Sequence, residues 1–304
     1  MREGCVLVSG ATGLVGRRLV PLLADRFASV RVLSRSGSSG TAGVDGRSWD
    51  GIDPGAAALA GVDAVVHLAG EPLFGGLPTK ARLSRMRESR VASTKRIVER
   101  IAALAERARP RTLVCASAVG IYGDRGEQEL DEDSAPGSGY LADLCRDWEA
   151  EANRAEALGV RVVRVRIGVV LAREGGALSL MRIPFSLGLG GRLGTGRQYF
   201  PWIHIDDLVA VISFSLERSE LRGAVNAVAP TPVRNLELTE TLARVLRRPA
   251  LVPVPGFALR ALLGPLAGEL LGSRCVVPRR LREAGFPFRY TALETAIAEE
   301  LKPA

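Results

Sequence analysis

Short apolar runs alternate with amphipathic stretches along the first 170 residues. Residues 5–8 form an apolar run that enters three glycines, Gly10, Gly13 and Gly16, and a helical pattern follows from 14 to 27. That order predicts a strand, a tight turn and a helix. Residues 29–33 alternate and end at Ser34 and Arg35, which predicts a second strand. Residues 37–46 are a loop rich in glycine and serine, and Pro54 opens a short helix, proline being favoured in a helix's first turn. Residues 63–70 read as a third strand ending in small residues. A helical spacing from 79 to 107 carries Leu83, Met86, Ile97, Val98, Ile101 and Leu104. Residues 112–117 are a fourth strand, 140–158 a helix and 160–165 a fifth strand. Strands alternating with helices pack as a parallel sheet with right-handed crossovers. Ligands of such sheets collect at the carboxyl ends of the strands, so Gly10, Ser34, Leu68, Ser117 and Ile167 are expected to border one crevice.

Beyond Gly168 the rhythm changes. The glycine-rich stretch 188–196 reads as a flexible loop, either a lid or anion contact or a plain connection. Residues 201–207 precede a helix whose expected N-terminal cap is Asp206. Residues 224–229 read as a strand that rejoins the main sheet, and 235–301 as helices broken by short strands, with caps or starts at Asn235, Pro278 and Thr291.

The opening turn brings in chemistry. Gly10 lets the chain leave the strand at an angle other residues resist, Gly13 lets backbone approach a pyrophosphate, and Gly16 lets the helix pack closely. Free N–H groups of the helix's first turn, with the positive end of its dipole, then face phosphate oxygens. About 20 residues on, a carboxylate would bind the ribose hydroxyl of NAD and an arginine would accommodate the extra phosphate of NADP. No carboxylate stands between Arg31 and Gly43, while Ser34 and Arg35 offer a hydroxyl and a guanidinium. NADP(H) is the expected cofactor. His67, inside a buried run, is expected to be a hydrogen-bonded core histidine.

Composition narrows the field. At 304 residues the chain has room for two domains, and 47% hydrophobic with 24% charged residues is the profile of a globular protein. No apolar run approaches the ~18 residues of a membrane span, and residues 1–4 lead straight into a strand. A cytoplasmic location and no membrane partner are expected. Four scattered cysteines without a Cys-x-x-Cys pair, and two histidines, argue against a metal site. Cys5 and Cys115 are expected as inert core thiols. The net charge of +8 comes from arginines spread along helices, as at Arg85, Arg87, Arg96 and Arg100, and aromatics are 5% of the chain. That is a solvated basic surface, not a nucleic-acid footprint.

The first 170 residues resemble the extended short-chain dehydrogenase/reductase superfamily, through Gly10-x-x-Gly13-x-x-Gly16, His67-Leu68-Ala69-Gly70, and Ser117 with Tyr122-Gly123. Almost the whole chain is similar to an atypical branch, the epimerase-family proteins with a C-terminal domain of unknown function. Its marks are Glu71 after Gly70, Ser89-Arg90-Val91, 117–123, Trp148-Glu149, 188–191, 200–207, 272–278 and Gly285-Phe286-Pro287-Phe288. The resemblance implies an α/β fold: a Rossmann doubly wound parallel sheet over 1–170, with 203–229 returning to it, and a smaller C-terminal α/β substrate-binding domain over 171–304. It implies NADP(H) held by Thr12, Gly13, Leu14, Val15 and Gly16, by Ser34 and Arg35 at the 2′-phosphate, and by Leu68 and Ala69 with Gly70 and Glu71 beside them. Arg90 and Val170 fall on further cofactor positions, and a guanidinium at position 90 suits paired hydrogen bonds to phosphate.

The catalytic set departs from the superfamily. Its tyrosine is followed four residues later by a lysine, whose charge lowers the phenol's pKa from about 10. Here Tyr140 is followed by Leu144, and Ser117 stands one position off the commonest placement, with Ala118 in its stead. Tyr140 is then a neutral acid or hydrogen-bond donor, a phenol activated by a charge such as Arg166 or Arg192, or a packing residue. Cys145 reads as a packing residue too. The expected function is an NADP(H)-binding reductase or epimerase acting on a small hydroxyl- or carbonyl-bearing substrate, with Tyr140 and Ser117 polarising its oxygen. An NADP(H)-binding regulator and a non-redox isomerase or cyclase are the alternatives. The helices of the central region leave room for a homodimer.

Overall fold

A computed structural model describes residues 4–38, 41, 43–74 and 76–302, without the side chain of residue 56; residues 39, 40 and 42 of the expected loop lie outside the described residues. In chain order, β1 (Cys5–Ser9), α1 (Leu14–Ala24), β2 (Ser29–Ser34), β3 (Asp45–Ser48) and β4 (Ala64–His67) come first. Then follow α2 (Lys80–Arg87), α3 (Ser93–Ala102), β5 (Thr112–Ala118), β6 (Glu129–Leu130), α4 (Tyr140–Asn153), β7 (Arg161–Ile167), β8 (Val169–Ala172) and α5 (Gly176–Ser186). The remainder is β9 (Tyr199–Phe200), β10 (Trp202–His204), α6 (Ile205–Glu217), β11 (Gly223–Ala227), β12 (Val233–Arg234), α7 (Asn235–Leu246), α8 (Gly256–Leu263), α9 (Ala267–Leu271), β13 (Cys275–Val276), α10 (Arg279–Glu283) and α11 (Leu293–Leu301).

Seven strands make the main sheet, in the order β11-β7-β5-β4-β1-β2-β3. The pairs β1–β2, β1–β4, β2–β3 and β4–β5 run parallel. Val6, Leu7, Val8, Val65, Val66, Leu113 and Val114 are fully buried, as strands covered on both faces require. Helix α1 buries Gly16, Leu19, Val20 and Leu23, the i, i+3, i+4, i+7 stripe of an amphipathic helix. The strand order reverses between β4 and β1, the point at which open sheets of this kind receive ligands.

The chain forms two compact units that interleave along the sequence. The first takes the described parts of Met1–Ser117 with Leu144–Val165 and Val209–Val225; the second takes Ala118–Asp143, Arg166–Leu208 and the described part of Asn226–Ala304. The second has its own core of Leu171, Leu178, Phe185, Phe200, Trp202, Leu238, Leu242, Leu293 and Ile297. There β8 pairs parallel with β10, and α7 and α11 supply i, i+4 apolar pairs.

Several expectations change in detail. Strand β3 falls where a loop was expected: it carries no buried apolar residue and takes its register from β2, Arg31 opposite Asp45 and Ser34 opposite Ser48. The long helix is two, joined by a π-helical turn at Glu88–Ala92. The cap of α6 is His204, whose Nδ1 accepts the N–H of Asp206 at 3.1 Å, so Asp206 is a first-turn residue. The glycine-rich stretch 188–196 is pinned: the N–H groups of Val252 and Val254 reach the carbonyls of Gly190 and Arg192, and that of Leu193 reaches Asn235 Oδ1 at 2.8 Å.

Candidate functional site

The turn after β1 closes as the glycines demand. Gly10 has φ +74°, and a Cβ there would lie 2.8 Å from the backbone of Leu68 and Ala69. A Cβ at Gly16 would lie 2.3 Å from the Gly10 carbonyl oxygen. Only glycine lets the start of α1 and the end of β4 meet the turn this closely. The Gly13 N–H bonds the Gly10 carbonyl at 3.0 Å, and Leu68 N–H bonds the Ser9 carbonyl. No side chain caps α1, and its first turn holds no acidic residue. The leading N–H groups of α1, around Leu14 and Val15, thus remain for an anion, beside Thr12, whose carbonyl anchors Arg17 Nε at 2.8 Å.

At the end of β2, the buried Ser34 hydroxyl donates to the Ser38 carbonyl at 2.7 Å. Arg35 is exposed, and no carboxylate among the described residues pairs with it. A serine already bonded to its own loop shapes the turn, and the guanidinium next to it stands exposed.

The loop after β4 is fastened from the π-helical turn. Ser89 Oγ accepts the N–H of Glu71 at 2.9 Å, and Arg90 reaches the carbonyls of Glu71 and Met86 at 2.9 and 3.2 Å. Arg90 Cζ lies 5.4 Å from the Trp148 ring centre, and a Cβ at Gly70 would lie 3.0 Å from it. Together Ser89, as acceptor, and Arg90, as donor, fasten Glu71 to the turn. The extra residue of a π-turn re-aims the side chains that follow, a device frequent at functional sites. His67 is fully buried, with Ser9 Oγ 2.6 Å from Nδ1 and Ser93 Oγ 3.1 Å from Nε2. Burial, helped by the nearby Arg90 charge, lowers its pKa to about 3, so the ring is neutral.

Ser117 lies at the end of β5. It is 2% exposed and donates to Glu149 Oε1 at 2.7 Å, while Glu149 Oε2 takes Arg164 at 3.0 Å. Sequence reasoning missed that carboxylate: it lies 32 residues away, and only Trp148-Glu149, one of the resemblance's marks, pointed to it. Cys115 is buried, and desolvation pushes its thiol up to about 12.

In the second unit, Tyr140 is the first residue of α4, half-buried, and lines a pocket of about 200 Å³. Leu144 is 3% exposed and apolar, so no lysine-like charge comes from that position. Val170 lies on β8, opposite Ile203. Arg166 serves another phenol: its Nη1 donates to Tyr122 at 2.8 Å, and that hydroxyl lies 2.7 Å from Asn226 Oδ1. Burial pushes the Tyr122 pKa up to about 12.

Residues 6–227 match the NAD dependent epimerase/dehydratase family, and residues 254–300 match a domain of unknown function, DUF1731. The chain is 41% identical over 297 residues to "Epimerase family protein SDR39U1 homolog, chloroplastic" of Arabidopsis thaliana, covering 96% of this chain and 85% of that protein. The crystal structure of human epimerase family protein SDR39U1 (isoform 2) with NADPH superposes with a TM-score of 0.85 at 34% identity, covering 97% of this chain and 98% of that one. A nucleoside-diphosphate sugar epimerase from Corynebacterium glutamicum gives a TM-score of 0.80 at 37% identity, over 98% of this chain and 58% of that longer one. With a glycine turn closed against the end of β4 and both matches following in sequence, this chain belongs to the NAD dependent epimerase/dehydratase family and carries the DUF1731 domain behind it.

Proposed function

We propose that this protein binds NADP(H) and acts as a reductase or epimerase on a small hydroxyl- or carbonyl-bearing substrate. One observation carries the reading: the uncapped start of α1 sits on a glycine turn closed against Leu68 and Ala69, with exposed Arg35 just past the end of the neighbouring strand. Thr12 to Gly16 cradle the diphosphate with backbone N–H groups, and Arg35 receives the 2′-phosphate. The human relative solved with NADPH supports that choice of dinucleotide. Arg90 and Ser89 position the loop under the adenosine side, and Val170 is kept as a further cofactor contact. When bound, the dinucleotide supplies the two-electron chemistry; the chain binds, orients and polarises.

Tyr140 is the hydrogen-bond donor to the substrate oxygen and works as a neutral phenol, because position 144 is a buried leucine. Ser117 acts as a strut for Glu149 rather than as a second donor. Leu144 also favours a second reading, a cofactor-binding regulator or a non-redox isomerase or cyclase on the same frame. The two differ over Tyr140→Phe, which abolishes substrate turnover in the first and leaves a regulator's NADPH response intact in the second.

Calorimetric titration with NADPH and NADH tests the cofactor assignment. A charge-assisted contact is worth about 1.5–3 kcal/mol before solvent screening, so Arg35→Ala is expected to weaken NADPH at least about tenfold. NADH binding stays within about twofold of the unsubstituted protein. Absence of NADPH binding in that protein, or an equal loss for both dinucleotides, overturns the reading.

A further inference from the structure

Building on the role given to Tyr140, we propose that the pocket beside it in the second unit receives a small oxyanion, a carboxylate or phosphate, held by Arg260 and the start of α4. Size comes first. A volume of about 200 Å³ lies below the ~300–1,000 Å³ of pockets for drug-sized ligands, which suits a small molecule.

Charge comes second. The first turn of α4, from Tyr140 to Ala142, lines the pocket, and the Asp143 N–H is already bonded to the Gly139 carbonyl at 2.9 Å. A 14-residue helix presents the positive end of its dipole and its leading N–H groups there. Asp143, in that turn, is exposed. The lining carries three formal charges: Asp124, hydrogen-bonded by backbone, Arg274, ion-paired, and Arg260. Asp124 Oδ1 accepts the N–H groups of Ser273 and Gly126 at 3.0 and 3.3 Å. Arg274, 3% exposed, meets the Glu269 carboxylate at 3.2 Å and its carbonyl at 2.7 Å, while its Nε–H is buried without an acceptor among the described residues. Arg260, on α8, is exposed and pairs with no carboxylate among the described residues. A helix start, a free guanidinium and a buried N–H lacking an acceptor all favour a compact anion.

Gly268, in the pocket lining, offers a clean block. A Cβ there meets nothing within 4 Å, so a side chain can start at that position without a clash, and Gly268→Leu narrows the pocket. The test is calorimetric titration of the full chain with lactate, inorganic phosphate, uncharged lactamide and UDP-glucose, with NADPH titrated in parallel and melting temperatures recorded. Lactate or phosphate binds saturably, and the tighter of the two names the oxyanion; lactamide binds at least tenfold more weakly. Affinity drops at least tenfold in Arg260→Ala, recovers to within threefold in Arg260→Lys, and vanishes in Gly268→Leu, while NADPH affinity and melting temperature hold. The proposal is overturned if neither anion binds, if Arg260→Ala and Gly268→Leu leave their binding unchanged, or if UDP-glucose binds more tightly and loses its affinity in Gly268→Leu. Anion binding without NADPH binding would remove the cofactor reading alone; NADPH binding without anion binding would remove the pocket assignment alone.

Discussion

Replacing Ser117 by alanine separates a strut from a catalyst. The hydroxyl lies 2.7 Å from a carboxylate oxygen of Glu149 and is 2% exposed, so its removal leaves a buried charged acceptor one donor short. Hydrogen bonds to charged groups contribute about 1.5–3 kcal/mol, and Arg164 on the other oxygen keeps the loss from being larger. At about 2.1 cal/mol/K per residue, unfolding 304 residues carries an entropy near 0.6 kcal/mol/K, so the melting temperature falls by roughly 2–5 °C. NADPH affinity stays within about twofold, since the hydroxyl faces Glu149 and not a phosphate. Scanning calorimetry of Ser117→Ala, Glu149→Gln and the pair together gives a coupling of about 1 kcal/mol or more between the two sites. A catalytic serine behaves otherwise, with an unchanged melting temperature and turnover down by about 10²–10⁴. Zero coupling with an unchanged melting temperature refutes the strut.

His67 makes the first unit acid-sensitive: with a folded pKa of about 3 against about 6.5 unfolded, stability is complete above pH 6.5 and declines as pH falls toward 3, by up to about 1.4 kcal/mol per pH unit. Urea denaturation from pH 7 to 4 shows that slope, and His67→Gln flattens it. Gly16→Ala drives a methyl to 2.3 Å from a backbone oxygen; about 1–3 kcal/mol of crowding outweighs the gain of up to about 1 kcal/mol in helix propensity, and NADPH affinity drops at least tenfold by titration. Tyr122 holds its proton to about pH 12, so spectroscopic titration at pH 11 finds tyrosine still un-ionised, in an amount that falls in Tyr122→Phe, and stability declines as pH rises from 10 to 12. Tyr122→Phe leaves buried Arg166 without that acceptor and costs about 1–3 kcal/mol in denaturant unfolding.

What the amino-acid order disclosed was local. The run from Val6 to Gly16 announced strand, turn and helix because each residue's constraint acts on its own neighbours, and Gly10 and Gly16 are glycine for contacts within a few residues or one adjacent strand. Helix α1 showed its buried stripe for the same reason. Strand β3 stayed hidden because Asp45-Gly46-Arg47-Ser48 borrows its conformation from β2 rather than from an apolar pattern. Arg90 was visible as a cation, but the π-turn that carries it was not, because no spacing rule reports a π-turn. His204 displaced Asp206 as a cap because its imidazole nitrogen, two residues earlier, accepts the Asp206 N–H. Glu149 answers Ser117 from 32 residues away, and Arg260 joins a pocket otherwise lined in part by residues 120–142; chain order carries no trace of either.

The outermost strand has a consequence for how copies of the protein meet. A sheet ends in unpaired N–H and C=O groups that another chain can adopt, and β3 is such an ending. It is four residues long, and Asp45 is gripped by Arg31 at 2.9 Å and Arg47 at 3.0 Å, so an incoming strand would have to strip water from three charges to gain two or three backbone bonds. Exchanging Asp45 and Arg47 for valine would make that rim adhesive and favour fibrous growth from an otherwise self-limited sheet.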